Sequence, residues 1–162
     1  MDPADFVLAQ AQGHLIRRAQ QIHTEYWAAL VGPEPTSPQF AVLLSLFHHP
    51  ASDQSTLAAL ASLHPSTCQD VVARLHAKHL LSRAVDPADR RRWLLDLTEE
   101  GREQVRAVLA DMEEVGDRLV ESLNDEDRAQ LITLLSTMTS ASTDSWVRKP
   151  AVETEGLEPA RE

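Results

Sequence analysis

The first thirty residues show an apolar pattern with the period of a helix. A set of apolar residues recurs three or four positions apart: Leu15, Ala19, Ile22, Tyr26 and Leu30. This spacing places them on one face of an α-helix, and we predict a helix over residues 5–30. The segment GPEPTSP (32–38) contains a glycine and three prolines, which end that helix.

Three shorter helices are predicted next. Ser37 and Pro38 suit an N-cap and a first helical residue, and the helix they begin ends before Pro50. Asp53 begins a second one, and HPSTCQDVVARLHAKHL (64–80) forms the third. In the third helix, the predicted inward residues are Val71, Val72, Leu75 and His79. The predicted outward residues are Ser66, Thr67, Gln69, Asp70, Ala73 and Arg74.

The period then changes to two. LLSRAVD (80–86) and RWLLDLT (92–98) each alternate, and the arginine-rich segment PADRR (87–91) joins them, which predicts a β-hairpin. Thr98 is the predicted cap of another long helix, with two glutamates in its first turn. The apolar stripe of that helix is Val105, Val108, Leu109, Met112, Val115, Leu119 and Leu123.

A last helix is predicted to start at Asn124. Its apolar residues are Leu131, Ile132, Leu134, Leu135 and Met138. From residue 147 the chain is polar and contains two prolines, so we predict that residues 147–162 form a disordered tail.

This order of elements predicts a mainly α fold built around a winged helix-turn-helix. The helix-turn-helix and its hairpin span residues 36–97. The flanking helices, in residues 1–35 and 98–146, are too apolar for a monomer of this size, so we predict that they pair in a homodimer. In such a fold a short helix enters the DNA major groove and the hairpin tip, or wing, reaches the flanking backbone or minor groove.

Charge is distributed unevenly along the chain. The formal net charge is −10 over 162 residues, but residues 64–92 carry +3 and residues 99–127 carry −8. Because the potential at a binding surface is local, overall acidity does not exclude a nucleic-acid partner. The single cysteine, Cys68, suits a reducing cytoplasm, and no apolar run approaches the roughly 18 residues needed to cross a bilayer. We expect a cytoplasmic protein with no membrane partner.

Three segments together resemble the MarR family of bacterial winged-helix regulators. They are SPQFAVLLSL (37–46), TLAALASLHPSTCQDVVARLHAKHLLSR (56–83) and DPADRRRWLLDLTEEG (86–101). The last contains the wing pattern D-x-R-R followed by L-T-x-x-G. The sequence departs from the family at His64, where a better helix cap is usual, and at His79, where Gly is usual because φ is positive there. Histidine tolerates that region better than most residues.

The resemblance implies a dimeric repressor that binds a pseudo-palindromic operator in double-stranded DNA. By position in the family's wing, Arg90 or Arg91 inserts into the minor groove, Asp89 orients it through a charge-assisted hydrogen bond, and Arg92 meets a phosphate. The implied major-groove residues are Ser66, Thr67, Gln69, Asp70 and Arg74, with Gln69 and Arg74 contacting bases.

The first helix also resembles the family members that respond to aromatic carboxylates such as phenolic acids. Its stretch GHLIRRAQQIHTEYW (13–27) places Arg17 and His23 where those members hold the ligand, and Trp27 as an aromatic wall. Six residues of ideal helix leave Arg17 and His23 about 120° apart, so a ligand must lie across the helix flank or also touch the partner chain. Arg18 is an alternative cation. Alternatively, Arg17 pairs with an acid and His23 is a surface residue.

Other chemistries have weaker support. The sequence lacks G-x-S-x-G, P-loop and G-x-G-x-x-G motifs, so we predict no enzyme and no cofactor. Metal sensing would use His76 and His79, three residues apart, with His48, His49, His64 or Cys68 nearby. Thiol sensing would use Cys68, but a lone buried cysteine is usually inert. We predict no metal, and we keep these sensors and a winged-helix protein-interaction module as alternatives.

Overall fold

The computed structural model describes residues 7–143, with side chains described through residue 140. A 3₁₀ turn, Leu8–Gln10, precedes the regular elements. These are α1 (Gln12–Leu30), α2 (Ser37–His48), β1 (Ser52–Asp53), α3 (Gln54–Leu60), α4 (Pro65–Ala77), β2 (Leu81–Val85), β3 (Trp93–Leu97), α5 (Glu99–Leu119) and α6 (Asp125–Thr143). The mainly α fold class is confirmed. The predicted tail, residues 147–162, and the first two residues of the predicted first helix lie outside the described part.

Three predicted helix starts are confirmed by their caps. The Asp53 carboxylate accepts the Ser55 and Thr56 N–H groups at the start of α3. At α5, the Thr98 hydroxyl accepts the Gly101 N–H at 3.1 Å. At α6, Asn124 Oδ1 accepts the Asp127 N–H at 2.9 Å. Each cap satisfies N–H groups that have no partner within the helix.

The predicted start of α2 is wrong by one residue. Thr36, in an extended conformation, is the N-cap, and Ser37 is already helical. The Thr36 N–H donates to the side chain of the buried residue Gln39 at 2.9 Å, which is half of a capping box. This side-chain bond favours Thr36 as the cap.

The sheet has three antiparallel strands in the order β1-β3-β2. Leu81 pairs with Leu97 and Val85 pairs with Trp93 in the predicted hairpin. The remaining strand, β1, is only two residues long, with Asp53 opposite Leu94. The apolar pattern of the sequence does not predict this strand. The alternating apolar residues of β3 do not all lie in the core. Leu95 and Leu97 are buried, whereas Trp93 is 56% exposed.

The winged region has its own apolar core. It is formed from α2, α3, α4, the sheet and the start of α5, with the members Val42, Leu43, Leu46, Leu57, Ala58, Ala61, Cys68, Val71, Val72, Leu75, Leu81, Leu95, Leu97 and Val105. A second cluster, Trp27, Phe40, Val108 and Val115, lies where α1 and α2 pack on α5. Helix α4 and the hairpin that carries the wing therefore share one packed body.

The predicted inward position of His79 is wrong. His79 is exposed and has a φ of +59°, because the chain reverses there after α4 and turns its side chain away from the core. Leu15 and Ala19 of the predicted α1 face are also exposed, because α1 buries its apolar face only toward its C-terminal end, at Trp27.

The chain divides after Leu119 into two compact units. The second unit contains α6, on which four large apolar residues are exposed: Ile132, Leu134, Leu135 and Met138. Among the described helices, none combines the length and the apolar character that crossing a membrane requires.

Candidate DNA-binding surface and ligand site

Helix α4 presents a polar face to solvent. Cys68, Val71, Val72 and Leu75 are buried, which fixes the rotation of the helix. The predicted outward residues are all exposed: Ser66, Thr67, Gln69, Asp70, Ala73 and Arg74. This face combines hydroxyl, amide, carboxylate and guanidinium groups, the donors and acceptors that read base edges in a major groove.

His64 is the cap of α4. Its Nδ1 accepts the Ser66 N–H at 3.4 Å and lies 2.8 Å from the Ser66 hydroxyl. The backbone bond is long, as expected for a weaker acceptor than the carboxylate or hydroxyl more usual at this position.

The wing tip is closed by bonds to its own backbone. The Asp86 N–H donates to the Arg92 carbonyl at 3.0 Å, and the Arg92 N–H donates to the Asp89 carbonyl at 2.9 Å. The Asp89 carboxylate accepts the Arg91 N–H at 3.0 Å. Asp89 thus shapes the turn through the backbone, while Arg90 and Arg91 extend into solvent.

Arg92, which the family resemblance places at a DNA phosphate, forms an ion pair within the protein. Its guanidinium donates to the Asp53 carboxylate, which is 16% exposed, whereas the Arg92 side chain is 52% exposed. The sequence predicts Asp53 only as a helix cap. Nothing in the local pattern signals this pair, because the two residues are 39 positions apart.

Two of the three predicted ligand residues, His23 and Trp27, lie beside each other. His23 is half-buried, and its ring centroid is 5.8 Å from that of Trp27. Trp27 is buried and donates from Nε1 to the Pro35 carbonyl at 2.9 Å. Arg17 is exposed, with Nη2 3.1 Å from Nδ1 of His14, a neighbour that the sequence does not predict.

The ring of His23 carries an unsatisfied polar atom. Its Nδ1 is buried and has no hydrogen-bond partner among the described residues. A buried polar atom without a partner is costly, so such atoms are uncommon. This nitrogen is therefore the clearest sign of an unfilled contact near α1.

An open cleft of about 320 Å³ lies elsewhere, between α2 and α3. It is lined by Ala41, Leu44, Ser45, His48, His49, Leu60 and Ala61. None of the three predicted ligand residues is among these.

The alternative sensor chemistries gain no support from the geometry. Cys68 is fully buried, and burial raises the pKa of its thiol, which disfavours the reactive thiolate. His76 and His79 are exposed. Across residues 7–143, no three His, Cys, Asp or Glu side chains come together as they would around a metal ion.

Comparisons with known proteins agree on one family. The family model described as MarR family matches residues 36–93. The transcriptional repressor NicR of Pseudomonas putida is 31% identical over 139 residues, covering 85% of this chain and 88% of NicR. Solved structures similar to this chain include transcription regulators as well.

Two of these structures contain or concern a small molecule. The PcaV transcriptional regulator of Streptomyces coelicolor, in complex with its natural ligand, is 36% identical with a TM-score of 0.81, covering 85% of this chain and 97% of PcaV. BpsR of Bordetella bronchiseptica, whose DNA binding is regulated by 6-hydroxynicotinic acid, is 30% identical with a TM-score of 0.80, covering 83% of this chain and 96% of BpsR.

Proposed function

Because this chain belongs to the MarR family of transcription regulators, we propose that it is a dimeric repressor that a small anionic aromatic ligand releases from its operator. The observation that carries the DNA-binding part is the pairing of two exposed features on one packed body. These features are the polar face of α4 and the arginine tip of the wing.

In this proposal the α4 face enters the major groove. Gln69 and Arg74 contact bases, since an amide pairs well with adenine and a guanidinium with guanine. Ser66, Thr67 and Asp70 complete the surface. Arg90 or Arg91 enters the adjacent minor groove, where negative potential attracts a guanidinium, and Asp89 holds the turn that presents them.

A second copy of the chain is the proposed dimer partner. Leu15 and Ile16 of α1 are 48% and 47% exposed, and α6 exposes the four apolar residues named above. Faces of this kind are typical of subunit interfaces. A two-fold axis would give the two recognition helices that a pseudo-palindromic operator requires.

The ligand part of the proposal is supported by the unsatisfied Nδ1 of His23 beside the Trp27 ring. An imidazole can bond a hydroxyl, and an aromatic wall suits a ring-shaped ligand. The ligand of BpsR is a hydroxylated aromatic carboxylic acid. Arg17, or Arg18 beside it, would supply the cation for the carboxylate, with the ligand lying across the helix flank or reaching the partner chain.

Removing both wing arginines tests the DNA-binding part. Arg90→Ala with Arg91→Ala should weaken binding to the DNA upstream of the protein's own gene by about 3 kcal/mol or more per dimer, through lost groove contacts. The affinity should also become less dependent on salt, since fewer counterions are released. Fluorescence anisotropy over a salt series measures both.

The matched control removes two arginines from α5. Arg106 and Arg118 are exposed and pair with Glu99 and Glu114, so replacing both with Ala makes the same change in net charge outside the wing. Equal losses in the two double variants would contradict the wing assignment. If the wild-type protein gives no gel shift with any upstream DNA, the hypothesis of a winged-helix protein-interaction module is favoured instead.

A further inference from the structure

The ion pair between Arg92 and Asp53 joins two parts of the winged region that are distant in sequence. Arg92 directly precedes β3, and its guanidinium contacts the Asp53 carboxylate. Asp53 ends β1 and caps α3, and α3 packs against the recognition helix α4. The pair therefore runs from the base of the wing tip to the body that carries α4.

The Asp53 side chain is also held by contacts that do not involve Arg92. Its Oδ1 accepts the Ser55 and Thr56 N–H groups, both at 2.9 Å, and its Oδ2 accepts the Thr56 hydroxyl at 3.1 Å. An exposed ion pair usually contributes little, because ordering two long side chains costs entropy. Here one partner is short and already ordered, so less of that cost remains.

Arg92 is fixed to the wing through its backbone. Its N–H and its carbonyl make the two backbone bonds that close the turn carrying Arg90 and Arg91. Strand β3 also pairs with the two residues of β1, where Asp53 lies opposite Leu94. The side chain of Arg92 thus adds a contact with Asp53 just outside the strand pairing, at the residue where the wing tip meets β3.

We propose that Arg92 is a positioning residue: its ion pair with Asp53 is a strut that holds Arg90 and Arg91 at a fixed place relative to α4. This inference rests on the proposed function, and it replaces the expected phosphate contact of Arg92. Two groups that enter neighbouring grooves must keep a fixed separation. A wing that the ion pair already holds in place loses less conformational entropy when it binds DNA.

Three variants and a control test the strut. Asp53→Asn keeps the helix cap, because Asn is as good a cap as Asp, but it removes the charge that faces Arg92. Arg92→Ala removes the other partner, and the third variant combines both changes. Arg106→Ala, which breaks an exposed ion pair on α5, is the matched control.

Amide hydrogen exchange without DNA gives the first readout. Each single variant should speed exchange of the Asp86, Arg91 and Arg92 amides on the order of fivefold. The double variant should add nothing further, and the control should leave these amides unchanged. If the wing amides exchange at the wild-type rate in both single variants, there is no strut, whatever the DNA measurements give.

Operator affinity over a salt series gives the second readout. Each single variant should bind on the order of fivefold more weakly, the double variant should bind no more weakly than either, and the salt slope should stay that of the wild type. A phosphate contact would instead lower the slope by about 0.9 for each Arg92 removed. Tighter binding by Asp53→Asn, with Arg92 freed for a phosphate, would also overturn the inference. Absence of DNA binding by the wild type would overturn the proposed function, while the exchange measurement would still decide the strut.

Discussion

At the scale of single residues, the Asp53 carboxylate accepts hydrogen bonds from Ser55, Thr56 and Arg92. The Ser55 hydroxyl donates to its Oδ1 at 2.6 Å, and this bond is the largest cause of a pKa held well below the usual range for aspartate. The Thr56 N–H and the Arg92 guanidinium act in the same direction, while burial opposes them. Every lowering contact favours the charged carboxylate in the folded state.

This lowered pKa predicts how stability depends on pH. A depressed pKa stabilises the fold above the unfolded-state pKa of about 3.9, and that stabilisation is lost as the pH falls toward the folded-state pKa. The difference in unfolding free energy between the wild type and Asp53→Asn should therefore be largest near neutral pH and should shrink below about pH 4. Urea unfolding from pH 7 to pH 3 measures it. A difference that stays constant over this range would mean that the carboxylate charge contributes nothing.

At the scale of elements, the junction of β3 with α5 explains the L-T-x-x-G pattern. The Thr98 hydroxyl donates to the His79 carbonyl at 2.7 Å and accepts the Gly101 N–H, so one side chain ties the turn after α4 to the start of α5. A Cβ on Gly101 would lie 2.0 Å from the Leu80 carbonyl oxygen. Gly is required here by the close approach of two backbones.

Gly101→Ala should therefore destabilise the protein by on the order of 3 kcal/mol, since the clash is with backbone that cannot yield cheaply. Gly116, farther along the same helix, is the control, because a Cβ there would meet nothing within 4 Å. Gly116→Ala should be neutral or stabilising by up to about 1 kcal/mol. Thermal or urea unfolding compares the two, and equal stability of both variants would show that α5 can start farther from Leu80.

At the scale of the whole molecule, the proposed switch requires the ligand to act on the spacing of two recognition helices. These must lie roughly 34–36 Å apart to enter successive major grooves. A ligand releases DNA only if it binds the other arrangement more tightly, and a 100-fold loss of DNA affinity needs about 2.7 kcal/mol of coupling. A ligand held at His23 would act on α1, which packs on α5 and carries part of the proposed dimer face.

Arg17→Ala should leave operator binding intact but abolish release by hydroxylated aromatic carboxylic acids, because the carboxylate loses its cation. His23→Ala should show a weaker form of the same defect, since it loses only a hydrogen bond. The measurement is a titration of 6-hydroxynicotinic acid and hydroxybenzoic acids against the protein–operator complex. Arg18→Ala tests the alternative cation, and a loss of release in that variant alone would make Arg18 the ligand cation.

The sequence by itself determined the helices, their caps at Asp53, Thr98 and Asn124, the hairpin, and the exposed polar face of α4. These features depend on spacing and on contacts within a few residues, which a linear pattern contains. The resemblance to the MarR family came from the same local strings.

Only the tertiary structure decided the strand β1, the approach of Gly101 to Leu80, and the pairing of Arg92 with Asp53. It also left the buried nitrogen of His23 without a partner among the described residues. Each of these depends on which distant segments the packed core brings together. A one-dimensional pattern shows which face of an element is apolar, but it does not show which residue of another element will lie against it.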